Sequence, residues 1–333
     1  MKAEKQRLDY LDIAKCIGII LVIWRHSINN SMDQLPFLTS MIKSFFMPLF
    51  FFLSGYLYKL KPTKDYLYSK AKTLLVPLIL VYLYNFYTNL LMSGLQINYN
   101  YVRSGGYWFI ESLLYVSILY HFFNVFLIKT KFVKNEIVDY VMFGCSIVIS
   151  AVALLYCYLY GGAPSINSAA VACGFFSFGH IYRKTELKIK EKVSINRLMY
   201  LIIGIVLLVA TFFISQEIED ISMAFNKCTN PIAFVICAIL GSIGTLYISK
   251  AINHSKILCF FGKNTLVMLL TNMGIINIFR RFVEYFSENV YNLNELLKVV
   301  IIFAATLLTE VLVILFFNKV FPIFTGKPKY ENK

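Results

Sequence analysis

Ten long apolar stretches separated by short polar segments limit this chain to very few folds. They cover roughly residues 10–28, 41–58, 73–92, 107–128, 137–160, 165–182, 199–215, 231–248, 257–279 and 297–317. A helix that crosses a bilayer needs ~20 mostly apolar residues, and each stretch is about that long. The composition agrees. Hydrophobic residues make up 58% of the chain and charged residues 15%, whereas a soluble domain carries about 25% charge. A soluble protein this apolar could not cover its core with polar surface. A disordered chain, a coiled coil and a cytosolic enzyme are therefore excluded. The expected fold is an all-α integral membrane protein, a single bundle of about ten transmembrane helices filling residues 1–333, with no room for a soluble extra domain.

The formal net charge of +14 would suggest nucleic acid in a soluble protein. Its distribution suggests a membrane instead. Loop Lys and Arg concentrate on the cytoplasmic side. With the N-terminus placed inside and the loops alternating, 23 of the 32 Lys and Arg fall on the inner side and 6 on the outer, the other 3 lying within spans. That split predicts both termini in the cytoplasm of a multi-pass protein of the cell membrane and removes the need for a nucleic-acid partner. Of the seven cysteines, Cys16, Cys145, Cys157, Cys173, Cys237 and Cys259 lie in apolar runs and Cys228 lies in a loop. No metal-type pair spacing occurs. They read as free thiols acting as small hydrophobes, with neither a metal nor a tightly bound cofactor expected. The first apolar stretch carries Lys15, Arg25 and His26 and no small-residue cleavage site follows, so it reads as a span and not a cleaved signal peptide. No internal repeat supports a repeat-built transporter.

Ionisable residues inside a span cost roughly 2.5–3.5 kcal/mol each and mark function by default. The first span holds Asp12, Lys15, Arg25 and His26. Lys15 and His26 are eleven positions apart, which is three helical turns plus ~20°, so both share a face ~16 Å apart along the axis. Asp12 is one turn from Lys15 and suits either pairing with it or snorkelling at the inner interface. His26 alone of the four histidines lies near an outer helix end, and imidazole is the natural general base near neutral pH. His121, His180 and His254 read as residues of the inner interface. In the fourth span Trp108 suits the aromatic belt. Glu111, one turn deeper, reaches a depth similar to His26, where it would either orient the imidazole or pair with Arg103 or Arg25. Arg280 and Arg281 end the ninth span on the outer side. Glu310, alone in the tenth, suits a structural ion pair or a place in the site.

These residues carry a resemblance. The segment from Arg7-Leu8-Asp9-Tyr10-Leu11-Asp12 through Lys15 to His26 resembles the opening of the membrane-bound acyltransferase 3 family, with a basic residue, ten intervening residues and a histidine. Phe50-Phe51-Phe52-Leu53-Ser54-Gly55-Tyr56 is similar to its second-helix signature, and Trp108-Phe109-Ile110-Glu111 to its tryptophan motif. Gly174-Phe175-Phe176-Ser177-Phe178-Gly179 and Phe261-Gly262-Lys263-Asn264-Thr265-Leu266 resemble later segments. The likeness runs in order through nearly the whole chain. It implies ten core helices and the transfer of an acyl group, often acetyl, from cytoplasmic acyl-CoA to a sugar hydroxyl of a surface or lipid-linked glycan. It also brings Ser54 and Asn272 among the substrate-binding candidates. Asn272 stands where many relatives have a histidine, and Arg25 where a small residue is common.

Residues and resemblance together give a working assignment. His26 takes the proton of the attacking hydroxyl and Glu111 holds its tautomer. Lys15, with Asp12 beside it, meets the donor phosphates. Arg25, Arg103, Trp108, Ser54, Asn272 and Arg280 contact substrate. Direct transfer and a covalent acyl-enzyme both suit this arrangement. The alternative is a non-enzymatic transporter or flippase of glycan or lipid, which explains the helices equally well but gives no reason for a Lys15–His26 face.

Overall fold

The structure, a computed structural model, describes residues 8–28, 35–92, 107–131, 133–161, 165–190, 195–224, 227–289 and 293–322. Its helices are α1 (Asp9–Ser27), α2 (Pro36–Tyr56), α3 (Thr63–Lys70), α4 (Val76–Met92), α5 (Trp108–Thr130), α6 (Val138–Tyr160), α7 (Ile166–Lys190), α8 (Arg197–Ser215), α9 (Pro231–Ile252), α10 (Lys256–Lys263), α11 (Thr265–Asn289) and α12 (Glu295–Val320). Strands Ile221–Ser222 and Lys227–Cys228 pair as the one short ribbon among the described residues. Among the described residues, eight helices are long and apolar enough to cross a membrane. Two further long helices are not among them. Helix α1 carries Asp9, Asp12, Lys15 and Arg25, and α7 ends in a charged stretch from Arg183 to Lys190.

Local chemistry sets many of the boundaries. Asn196, Asn230 and Ser255 cap α8, α9 and α10 by accepting from the backbone N–H three residues on, which satisfies otherwise orphaned donors. Pro231 begins α9, where its missing N–H costs nothing. Two apolar stretches prove to be parts of longer helices. The third begins at Thr63, and a π-helical turn at Ala71–Leu75 joins α3 to α4. Lys64, Lys70 and Lys72, expected in a loop, therefore lie on helix. The sixth continues to Lys190, past its expected end. The ninth divides at Asn264, whose backbone leaves the helical region.

The chain divides into two compact units. One comprises Met1–Leu53, Arg183–Ile221 and Thr229–Val311, the other Ser54–Tyr182, Ser222–Cys228 and Leu312–Lys333. In the first unit α8 and α9 pack closely, with Gly204 set against the backbone of Gly244. Small residues allow such approach between membrane helices. Lys250 of α9, expected in a loop, is buried instead and ion-paired with Glu186. The rings of Tyr10, Tyr200 and Tyr247 surround its ammonium at 5.5, 5.6 and 5.4 Å, a cation–π arrangement. Removing one member of a buried pair costs about 3–5 kcal/mol because the other charge stays buried. Lys250→Met is therefore expected to lower the melting temperature of the purified protein sharply, and Glu186→Leu in the same chain to restore much of it. A double variant as unstable as the single would refute that account.

In the second unit α5 packs against α6. Its buried face presents Ser117, Tyr120, His121 and Asn124 at helical spacing. Asn124 donates to the Tyr58 hydroxyl at 3.3 Å, and that hydroxyl is hydrogen-bonded to His121 Nδ1 at 3.1 Å. Tyr66 stacks on the same imidazole at 4.0 Å and donates to the Ser117 carbonyl. Tyr120 meets His180 Nδ1 at 2.8 Å. His121 and His180, expected at an interface, are thus buried members of one aromatic and polar cluster. These contacts pair part of the cluster's polar groups, while Ser117 Oγ, His121 Nε2 and Asn124 Oδ1 are buried without a protein hydrogen-bond partner, which is costly in an apolar surrounding.

Candidate active site

Helix α1 holds the ionisable residues of the first unit. It is regular over its 19 residues, so Lys15 and His26 do share a face, ~16 Å apart along the axis. Lys15 Nζ lies 3.5 Å from Asp12 Oδ1. The Asp12 side chain is buried, while that of Lys15 stays 25% exposed. Of the two readings for Asp12, the structure favours the pair with Lys15.

The segment α10–α11 runs beside α1. At its beginning Gly262 lies against the Asp12 carbonyl, so closely that an added Cβ would collide with that oxygen. Further along, Arg280 Nη2 donates to the His26 carbonyl at 2.6 Å. Two contacts in this order fix the direction: α11 advances with α1, and Asn272 comes level with the middle of α1. Asn272 is buried, and its Nδ2 donates to the Met268 carbonyl at 2.5 Å. Next to it, the Thr271 hydroxyl is hydrogen-bonded to the Glu310 carboxyl, lying 2.9 and 3.1 Å from its two oxygens. Of its two readings, the structural ion pair is not formed among the described residues, where a threonine holds the carboxyl instead.

At the Ser27 end of α1, Arg25 Nη1 donates to the Ile28 carbonyl at 3.3 Å. The two guanidiniums therefore satisfy terminal carbonyls and meet the negative end of the helix dipole. His26 between them is half-buried. Trp24, which the sequence alone does not single out, packs edge-on against Phe303 at 5.2 Å. Its indole Nε1, together with Arg280 Nε and Asn272 Oδ1, is buried without a protein hydrogen-bond partner. A tryptophan two residues before the histidine was the only signal for it. Buried polar atoms in proteins are nearly always paired, so these three leave hydrogen-bonding capacity along the α1 face.

In the second unit Glu111 sits in the first turn of α5. Its carboxylate accepts from the hydroxyls of Tyr82 and Ser165. Ser112 donates to the Ser165 carbonyl at 2.8 Å. Ser165 has a left-handed backbone, φ 71°, a conformation that costs a serine energy and survives only when its neighbours hold it. Glu111 and Ser112 do so. Its pairing with His26 remains an expectation of the sequence. Trp108 opens α5, half-buried, with its ring edge-on to Phe109 at 6.1 Å. Ser54 is half-buried near the end of α2. Arg103 lies outside the described residues.

Comparison with known proteins gives one match. No curated protein and no solved structure matches the chain. The family model of acyltransferase 3, described as an acyltransferase domain, matches residues 8–315. That range takes in α1 with Lys15 and His26, the tryptophan motif of α5 and the segment α10–α11, in one continuous alignment. With eight helices fit to cross a membrane, the chain belongs to the acyltransferase 3 family and is a membrane acyltransferase.

Proposed function

We propose that this protein is an integral-membrane O-acyltransferase of the cell membrane that moves an acyl group, acetyl in the first instance, from acyl-CoA to a hydroxyl of a surface or lipid-linked glycan. The observation that carries this reading is the α1 face, with Lys15 at one end and His26, anchored through its carbonyl by Arg280, at the other. In the proposed topology ten helices cross the bilayer and both termini are cytoplasmic. Acyl-CoA then approaches the Asp9 end of α1, where Lys15 meets its phosphates as a point charge. The pantetheine arm extends along the face, past Asn272 Oδ1, toward His26. The acceptor hydroxyl attacks the thioester carbonyl, His26 takes the hydroxyl proton, the C–S bond breaks, and the CoA sulfur leaves and recovers a proton. The buried N–H groups of Trp24 and Arg280 supply donors for the carbonyl oxygen as it gains charge or for acceptor hydroxyls. Glu111 acts from its own unit by holding Tyr82 and Ser165.

The test uses membranes carrying the protein, radiolabelled acetyl-CoA and the host's surface glycan. Label is expected to pass into the glycan. Transport without transfer of label would favour a flippase. Lys15→Ala is expected to raise the apparent KM for acyl-CoA while leaving glycan recognition unchanged, and Lys15→Arg to keep part of the activity, because a phosphate met by a single charge tolerates either cation. An unaltered donor KM in folded Lys15→Ala would reduce Lys15 to an interfacial lysine.

A further inference from the structure

We propose that Asp9, His254 and Cys259 form a zinc site at the Asp9 end of α1. One carboxylate oxygen of Asp9, Nδ1 of His254 and Sγ of Cys259 all lie within 4.8 Å of one another. The three come from different elements of the same unit: the first turn of α1, the turn between α9 and α10, and α10 itself. Their linear spacing resembles no metal motif, which is why the sequence alone does not reveal them.

The local structure shows how the donors converge. Asn253 ends α9 with a positive φ of 64°, and the His254 N–H donates to the Ile252 carbonyl at 2.8 Å. This tight reversal turns His254 toward Asp9, with which it hydrogen-bonds. Strained backbone that persists at one residue requires neighbours that over-determine it. Ser255 then caps α10, and one turn later Cys259 points its thiol at the Asp9 carbonyl, 3.8 Å away. Cys259 is buried while the His254 side chain is 59% exposed, so an ion from solution reaches the imidazole first and meets the thiol behind it.

The donor set selects the metal. One thiolate, one imidazole and one carboxylate suit Zn2+, with water as the fourth ligand of a tetrahedron. Magnesium and calcium prefer oxygen alone. On binding, the Cys259 thiol loses its proton to solvent and His254 coordinates as the neutral ring. The ion would tie the start of α1 to α10, whose Gly262 already rests on Asp12. It would therefore stiffen the helix end that presents Lys15.

Cobalt(II) reports this site directly. The purified full-length protein, stripped with chelator and kept reduced, is titrated with Co2+ and then with Zn2+. We expect about one equivalent to bind, with visible bands of tetrahedral cobalt, a thiolate-to-cobalt charge-transfer band in the near ultraviolet, and loss of both on adding Zn2+. Cys259→Ser is expected to lose the charge-transfer band, and His254→Asn to weaken binding at least ~10-fold. The His254 side chain is largely exposed, so that variant folds even where Cys259→Ser does not. Zn2+ is expected to raise the melting temperature of the parent protein but not of either variant. An absent band in the parent protein, a charge-transfer band retained in Cys259→Ser, or an unchanged Co2+ affinity in His254→Asn would overturn the site and leave Asp9 and His254 as a surface hydrogen-bonded pair.

Discussion

His26→Gln is expected to lower acyl transfer by about 10²- to 10⁴-fold, the usual worth of general-base help, at unchanged membrane level. Glutamine keeps the size and hydrogen bonding of the position but cannot take a proton at neutral pH. The backbone keeps its anchor, because Arg280 grips the carbonyl of residue 26 and not its side chain. His26→Ala should be as inactive. Glu111→Gln is expected to fall between these and the parent protein, because an amide still offers an acceptor oxygen to one of the two hydroxyls that Glu111 now holds. Label transfer into glycan, measured at matched membrane levels, separates these outcomes. His26→Gln within tenfold of the parent protein would remove His26 as the base while leaving the family assignment intact.

Gly262→Ala is expected to be strongly damaging. The new Cβ meets the carbonyl of Asp12, a main-chain atom in the middle of a helical turn, and neither backbone can move aside cheaply. Overpacking costs ~1–3 kcal/mol and occasionally more, and a collision with backbone belongs at the upper end. The expected result is a markedly lower melting temperature, with any folded fraction showing a raised KM for acyl-CoA because Asp12 and Lys15 are displaced. Gly144→Ala is the matched control. It lies in helix α6, and an added Cβ there has nothing within 4 Å, so alanine's better helix propensity should leave stability equal or slightly improved. Equal melting of the two variants would show that α10 does not rest on α1 as described.

Much of this was legible in the sequence, and the reasons differ from element to element. Apolar runs of span length define the long helices because bilayer thickness sets a minimum length that few soluble helices share. Lys15 and His26 share a face because helical periodicity is nearly independent of what packs around it. Lys250 looks like a loop cation in the sequence because its burial depends on distant partners, Glu186, Tyr10 and Tyr200, as well as on Tyr247 one turn before it. His121 and His180 were misplaced for the same reason: hydropathy puts them at helix ends, while Tyr58, Tyr66 and Tyr120 decide that they are buried. The extension of α3 to Thr63 escaped notice because a polar first turn with lysines looks like a loop until a π-helical turn joins it to the apolar stretch. Trp24 carries no charge to mark it beside Arg25 and His26, and its interest lies in a buried, unpaired indole nitrogen that only packing reveals.

The anchoring of residue 26 through its carbonyl has a practical consequence. Arg280 holds residue 26 by its main chain, whatever side chain stands there, so under the proposed mechanism the anchor survives removal of the base. A chain with a silent side chain at position 26 should therefore still gather both substrates in their reactive order and hold them unreacted. Such a stalled assembly is what is needed to see donor and acceptor together, and residue 26 is the place to create it.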